Sequence, residues 1–157
     1  MFETRNDLPL ATRTQAVRLL NARLADAIDL GTQTKHAHWN VKGPNFIALH
    51  DQLAEHTEEH IDTIAERATA LGGSAHGTLA AAARASSLKP YPENLSEGFA
   101  HVRALATALA AFGAGVRAAI DAADKFGDKD SADLFTGISR AVDKDLWFLE
   151  AHLHAKR

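Results

Sequence analysis

The sequence contains no cysteine, so neither a disulfide nor a thiolate metal site can form within the chain. Any metal must therefore be held by His, Asp or Glu side chains. The lack of cysteine also fits a reducing cytoplasm, which we expect as the location. Proline (four residues) and aromatic residues (6%) are scarce while alanine is abundant, and this composition favours helix over sheet.

An excess of basic charge and long apolar runs are missing as well. The formal net charge is −3, so the chain as a whole has no electrostatic attraction for nucleic acid. We find no run of about 18 apolar residues and no signal-peptide pattern, and we expect neither a membrane span nor secretion. The chain does have a 46% hydrophobic fraction and nine histidines, five of which fall within residues 36–60.

Apolar residues recurring at spacings of three and four predict long amphipathic helices. We place them at residues 12–36, 46–71, 95–124 and 131–154. The length of 157 residues suits one domain with one core, preceded by a short tail at 1–11. The fold class predicted is all-α, a four-helix bundle.

The connections support the same architecture. Gly43 and Pro44 break the chain between the first two helices, and Asn45 is expected to cap the second helix. The short loop makes these two helices antiparallel neighbours. The connection between the second and third helices is long enough to cross the bundle, and its Ala-rich piece at 78–85 should form a short extra helix.

Three carboxylates share one stripe of the second helix. Asp62 and Glu66 lie four residues apart, and Asp51 precedes Asp62 by eleven, which returns it to within about 20° of the same line. Like charges in such a row repel one another unless a cation lies among them. A divalent metal would relieve the repulsion, but a solvated acidic face or pairing with Arg67 would also explain the stripe.

Histidines flank these carboxylates. Carboxylates combined with imidazoles suit iron, manganese or zinc, so His38 and His50 are candidate ligands. His38 alone could instead be a hydrogen-bonded residue at a helix end. We expect His36, His56 and His60 on the surface or at an interface, and Trp39 in the core.

Three segments carry a family resemblance: KHAHWNVKGPNFIALH, DTIAERATALGG and SADLFTGISRAVDKDLWFLEAHL. The first two closely resemble the signature of the Dps family, the mini-ferritins, and the third is similar to the family's last helix. The resemblance covers the chain from about Asn6 to Leu153. It implies a ferritin-like bundle whose subunits form a hollow homododecamer.

The resemblance also implies a function. Dps proteins oxidise iron(II), preferably with hydrogen peroxide, at sites on two-fold interfaces, and they store ferric oxide. His38 and His50 match the histidine ligands from one subunit, and Asp62 and Glu66 match the carboxylates from its partner. Asp51 joins them as a candidate metal ligand on the same stripe. Trp39 matches the tryptophan beside the site.

One departure from the family pattern lies between the two halves of this site. The family has an aspartate four residues after the second histidine, where this chain has Ala54, and the step from His50 to Asp62 is three residues short. Three residues amount to about 4.5 Å of rise and 60° of rotation, and Ile47 occupies the histidine's register position. The site is therefore either preserved by a loop adjustment or altered, with His56 or His60 as replacement ligands and zinc as the preferred metal.

Two other functions compete with iron oxidation. The first is a nucleoid-associated DNA-binding protein with a weak or altered metal site. The terminal tails are poor in Lys and Arg, however, so we expect that DNA is not bound. The second is a structural bundle without a metal.

Acidic residues from Asp121 to Asp133 could form a cation pore around a three-fold axis, or merely a solvated helix junction.

Overall fold

The computed structural model describes residues 1–44 and 46–154. Five helices lie within them: α1 (Leu10–Asn40), α2 (Phe46–Ala70), α3 (Leu79–Ala85), α4 (Gly98–Lys125) and α5 (Lys129–His154). The all-α four-helix bundle with a short crossover helix is confirmed. The expected cap at Asn45 lies outside the described residues.

The first helix is longer than its sequence pattern predicts. We expected it to end at His36, but it continues to Asn40, whose side-chain amide donates to the His36 carbonyl at 2.8 Å. The Val41 N–H then closes the last turn on the Ala37 carbonyl. The chain turns only at Gly43, whose φ of 120° is strained for any residue with a Cβ. The extra turn carries His38 and Trp39 on helix rather than loop.

Capping side chains set the starts of α4 and α5. Glu97 accepts hydrogen bonds from the backbone N–H groups of Phe99 and Ala100, so α4 begins three residues later than predicted. Asp128 accepts from the Ser131 N–H at the start of α5, and Arg67 of α2 donates to the same carboxylate at 2.7 Å. Because Arg67 is engaged here, it does not neutralise the acidic stripe of its own helix.

Each long helix turns one face into a common core. α1 packs mainly against α2 and α4 against α5, while α3 lies on α1. The largest fully buried apolar side chains come from all four long helices and the connection after α2: Leu20, Leu24, Leu30, Ile64, Leu71, Leu105, Phe112, Phe135 and Leu149. Among the described helices, α4 alone is long and apolar enough to cross a membrane. Its stripe of Val102, Leu105 and Phe112 is buried in the bundle instead.

The bundle brings four helix ends together. α1 ends where α2 begins, and an isolated bridge between Lys42 and Glu97 ties this loop to the start of α4. The last turns of α5 reach the same end, since the His152 ring lies 6.4 Å from the ring of Phe46. Histidines from all four long helices are therefore gathered at one end of the bundle.

Candidate metal site

His38 and Asp51 face each other on the outer surface of the α1–α2 hairpin. The Nε2 atom of His38 lies 3.9 Å from Oδ1 of Asp51, which is too far for a hydrogen bond. A first-row divalent ion with bonds of about 2.1 Å to each atom fits between them. The other ring nitrogen, Nδ1, lies 3.3 Å from the Ile47 carbonyl. Donation of that N–H would leave the Nε2 lone pair free for a metal. We call these two residues the outer pair.

Asp62 and Glu66 form a second group on the same helix, which we call the carboxylate pair. Both are exposed, and their carboxylates make no hydrogen bond or ion pair with the described residues. Arg67 points away toward the start of α5. The explanation of the acidic stripe by pairing with Arg67 is therefore wrong, and the negative charge of this surface is uncompensated within the described part of the chain.

The outer pair and the carboxylate pair cannot meet within one subunit. Asp51 and Asp62 are eleven residues apart on one continuous helix, which separates them by about 16 Å along its axis. Accordingly, no group of three His, Asp or Glu side chains among the described residues can hold a metal ion. A site using both pairs requires a second copy of the chain, placed so that each copy lends one half.

An apolar groove separates the two pairs. It has a volume of about 460 Å³ and is lined by Ile28, Gly31, Thr32, Lys35, Trp39, Ala54, Glu58 and Ile61. Trp39 is 74% exposed, so our expectation that it lies in the core is wrong. Since α1 continues to Asn40, Trp39 follows Gly31 and Lys35 at steps of four along the outer face. An exposed tryptophan beside an apolar groove is typical of a surface that binds another protein.

His50 does not lie with the outer pair. Its side chain is fully buried (0% exposed), whereas Ile47, one turn earlier, is 56% exposed. Adjacent helical residues diverge by about 100°, so Asp51 faces outward while His50 faces the core. Ile47 thus occupies the outward position that the three-residue shift predicts for it. The assignment of His50 as a ligand of the outer site stays a prediction.

The buried His50 ring has an unusual environment. Neither ring nitrogen has a hydrogen-bond partner, and such a buried unpaired polar atom costs about 1–3 kcal/mol. Burial lowers the pKa of His50 to about 4, with further lowering by His101 and His38. The Ala37 carbonyl opposes this shift without reaching hydrogen-bond geometry. The ring is therefore neutral at physiological pH.

His101 of α4 lies next to His50 and was not singled out by the sequence. The two ring centres are 6.3 Å apart, and His101 is also fully buried. Its Nδ1 forms a 2.7 Å hydrogen bond with the Tyr91 hydroxyl, while its Nε2 has no partner. Burial raises the pKa of Tyr91 to about 12, so the hydroxyl is protonated. The position of His101 four residues before Leu105, on the apolar stripe of α4, was a signal of this burial.

Of the other two candidate histidines of α2, His56 contacts α5. His56 Nδ1 lies 2.9 Å from Oδ1 of the buried Asp145, whose pKa is raised by burial despite this contact. His60 is partly buried and its Nε2 has no partner. The His56 ring is thus directed toward a neighbouring helix, and neither histidine is fully exposed. The carboxylate of Asp145 already engages His56, which disfavours it as a replacement ligand beside His38.

The acidic segment after α4 is largely paired. Asp128 caps α5 and binds Arg67, Asp130 lies 3.8 Å from Arg67, and Asp124 pairs with Lys129. Asp121 and Asp133 are exposed and make no ion pair with the described residues. Most of the segment therefore serves to start α5, and only these two carboxylates stay free for a cation path, which remains a prediction.

Comparison with known proteins places the chain in a family. A family model described as Ferritin-like domain matches residues 17–157. The DNA protection during starvation protein of Agrobacterium fabrum is 45% identical over 157 residues, covering 98% of this chain and 97% of that protein. The protein of the same name from Brevibacillus brevis is 36% identical over 140 residues, covering 86% and 92%.

Solved structures give the same result. Dps from Microbacterium arborescens in the high iron form has a TM-score of 0.85 at 34% identity, covering 93% of this chain and 97% of that one. A Mycobacterium smegmatis Dps has a TM-score of 0.90 at 30% identity, covering 98% and 90%. With the bundle, its crossover helix and these relatives, the chain belongs to the Dps family of ferritin-like proteins.

Proposed function

We propose that the protein is a ferroxidase that oxidises iron(II), preferably with hydrogen peroxide, at sites shared between two subunits. The ferric product is stored inside a homododecameric shell in the cytoplasm, and this protects the cell against oxidative damage. The observation that carries the proposal is the 3.9 Å gap between His38 Nε2 and Asp51 Oδ1, which suits a bridging divalent ion. One imidazole and carboxylate oxygens form a ligand set that suits iron.

Pairing of two subunits completes this ligand set. A two-fold axis through the groove would bring the outer pair of one copy to the carboxylate pair of the other, and the same operation would build a second identical site. The unpaired charge on Asp62 and Glu66 supports this arrangement, because the metal would supply the missing positive charge. The exposed Trp39 and the apolar groove would supply the contact area.

In the proposed reaction two ferrous ions each give one electron to one peroxide molecule, and its O–O bond breaks. With two water molecules the products are two units of ferric oxyhydroxide, FeO(OH), and four protons. Paired electron transfer avoids free hydroxyl radical. Trp39 lies on the same face as the outer pair, and in this proposal it would intercept stray oxidising equivalents. His50 belongs to this site only if the start of α2 rotates on assembly.

Subunit mixing tests the shared site directly. His38→Ala and Glu66→Ala homo-oligomers should each oxidise iron slowly, because every site lacks one ligand. A pair made of one subunit of each kind has one doubly defective site and one site with all native ligands. Co-assembly at equal ratio should therefore restore about a quarter of the native sites, read as ferrous oxidation followed by absorbance.

The controls separate the outcomes of this experiment. Glu93→Ala removes an exposed carboxylate from the crossover and should oxidise iron like the native protein. If mixed shells of normal size recovered no iron oxidation, this would show that each subunit builds its site alone. Native rates in both single variants would refute the assignment of His38 and Glu66 as ligands, and a native shell that does not accelerate ferrous oxidation would refute the ferroxidase proposal.

DNA binding is the second function that the relatives' names raise. The N-terminal tail packs on its own subunit, with the Phe2 N–H bonded to the Gly72 carbonyl and the Leu8 N–H to Asn6. A tail held in this way offers Arg5 alone as an exposed cation ahead of α1. The C-terminal Lys156 and Arg157 lie outside the described residues. A gel shift that persists at moderate salt would overturn our expectation that DNA is not bound.

A further inference from the structure

Tyr91 is the one tyrosine of the chain, and it lies in the crossover between α3 and α4. Its hydroxyl oxygen lies 2.7 Å from Nδ1 of His101, which is fully buried on α4. Its ring centre lies 5.3 Å from that of His36 of α1, which approaches it edge to face. The phenol is therefore held between the helix that carries His38 and a buried imidazole. The iron chemistry proposed above uses neither Tyr91 nor His101.

The surroundings of this hydrogen bond indicate that Tyr91 is the donor. Burial raises the pKa of Tyr91 to about 12, so its hydroxyl keeps the proton that it donates to Nδ1. Burial also lowers the pKa of His101, although the Leu95 carbonyl and the charge of Glu97 oppose this shift. Because burial outweighs them, the imidazole is neutral, and its Nδ1 lone pair is available as the acceptor. His101 is thus a base in direct contact with a phenol proton.

We propose that Tyr91 and His101 form a redox pair, which takes up one oxidising equivalent whenever a single ferrous ion reduces peroxide. Oxidation removes one electron from the phenol, and the O–H proton moves along the 2.7 Å hydrogen bond to Nδ1 of His101. The products are a neutral tyrosyl radical and an imidazolium ion, which the charge of Glu97 stabilises. A base within about 2.6–3.2 Å is well placed to take the proton, and histidine is suited to this shuttle near neutral pH.

The oxidant comes from a side reaction of the proposed function, on which this inference rests. A ferrous ion that meets peroxide alone gives it one electron, and the products are ferric iron, hydroxide and a hydroxyl radical. The hydroxyl radical takes an electron from Trp39 and becomes a second hydroxide. The oxidised indole then takes an electron from Tyr91 and returns to its resting state, while the phenol proton passes to His101.

His36 lies between the two aromatic residues of this path. It precedes Trp39 by three residues on α1, and side chains at this spacing are neighbours on a helix. On its other side, the edge of one ring meets the face of the other where His36 packs on Tyr91. One side chain therefore bridges Trp39 and Tyr91, and the electron has a short path between them.

A cavity gives small soluble reductants access to Tyr91. It has a volume of about 430 Å³ and lies between the crossover and α4, with a lining that includes Pro90, Tyr91, Pro92, Ala104 and Ala108. A reductant that enters this cavity gives one electron to the tyrosyl radical, and the proton returns from Nδ1 of His101. The pair is then ready for another cycle, and the oxidising equivalent has left the iron site without damage to the chain.

The test is electron paramagnetic resonance, because any tyrosyl signal from this chain must come from Tyr91. The metal-free shell is oxidised with a flash-photolysed ruthenium tris-bipyridyl complex and persulfate, which need no iron site. We expect a tyrosyl signal coupled to a proton that exchanges in D₂O, since the imidazolium donates to the radical oxygen. Tyr91→Phe should lose this signal, and ascorbate should shorten its lifetime. Substoichiometric iron(II) with peroxide should give the same signal.

A variant of His101 separates a redox role from a structural one. His101→Gln removes the base, so the tyrosyl radical should form about 100-fold more slowly. His76→Gln makes the same change at an exposed histidine and should have no effect.

Three results would overturn the inference. They are tryptophan radicals alone in the photo-oxidised native shell, a tyrosyl signal without an exchangeable coupling, and a native rate of radical formation in His101→Gln. The first two need no variant, so they hold even if His101→Gln fails to fold. None of them bears on iron oxidation, and failure of the subunit-mixing experiment would leave the photochemical measurement unaffected.

Discussion

The outer pair and the buried His50 and His101, which we call the inner pair, begin on adjacent residues of α2, yet their surroundings are opposite. Asp51 faces solvent, pairs with His38 and depends on a second subunit for further ligands. His50 faces the core, lies beside His101 and is enclosed within one subunit. The difference shows that one step along α2, about 100° of rotation, decides whether a side chain faces the surface or the core.

The largest expected effect is the loss of folding stability at low pH that arises from the buried His50. His50 has a pKa of about 4 in the folded protein and 6.5 unfolded, so the unfolded chain binds the extra proton between these values. The free energy of unfolding should therefore be unaffected above pH 6.5 and fall by about 3 kcal/mol as pH drops to 4.

The measurement is chemical denaturation of metal-free protein across this pH range. The His50→Leu variant should lose this part of the pH dependence, since leucine cannot titrate. Parallel curves for the two proteins would show that His50 is not buried as the structure has it. His60, whose pKa burial also lowers and which does not interact with His50, contributes equally to both proteins.

The next effect concerns the outer pair. Asp51→Asn removes a charged ligand while keeping its shape, and iron oxidation should slow by roughly 10- to 100-fold. The rate is read by stopped-flow absorbance, and a native rate in this variant would exclude Asp51 as a ligand. Glu93→Gln, at an exposed position of the crossover, serves as the matched control.

A smaller effect tests whether His50 belongs to the core or to the interface site. Replacing a buried unpaired imidazole with leucine removes the unsatisfied polar atoms, and the free energy of unfolding at pH 7.5 should rise by about 1–2 kcal/mol. Iron oxidation should continue at the native rate. A rate that falls as far as that of Asp51→Asn would instead assign His50 to the interface site.

The smallest effect is at Lys35, whose Nζ lies 3.6 Å from Asp51 Oδ1. Both side chains are about half exposed, so the pair is worth less than about 1 kcal/mol. Lys35→Gln should raise the apparent affinity for ferrous iron by less than about fivefold, because the metal no longer competes with the ammonium group. The difference should shrink at high salt; a salt-independent change would indicate a structural cause.

The sequence predicted the bundle well because apolar spacing reports which helix faces are buried. The second helix was placed within one residue of its observed end, and the exposed stripe of Asp62 and Glu66 followed from spacing alone. Glycine and proline located the turn after α1 less well. The first helix continues to Asn40, beyond the end of the apolar pattern, because local hydrogen bonds stabilise the extra turn. In this extra turn Trp39 lies on the surface.

The contact between His50 and His101 could not be predicted from the sequence, because it depends on how α2 is rotated relative to α4. A shift of three residues was visible, but its outcome was not: the loop before α2 could have absorbed it, or the helix could have turned. In the structure His50 faces the core. His101 comes from a segment 51 residues further along the chain, and no spacing rule links the two.

The groove beside Trp39 has an optical consequence. The chain has two tryptophans, and both are exposed in the single subunit, Trp39 by 74% and Trp147 by 61%. If the groove is covered by a second copy, the emission of Trp39 shifts toward that of an apolar environment as subunits pair. With Trp147→Phe as background, the intrinsic fluorescence of Trp39 alone then follows assembly and dissociation of the shell without any added label.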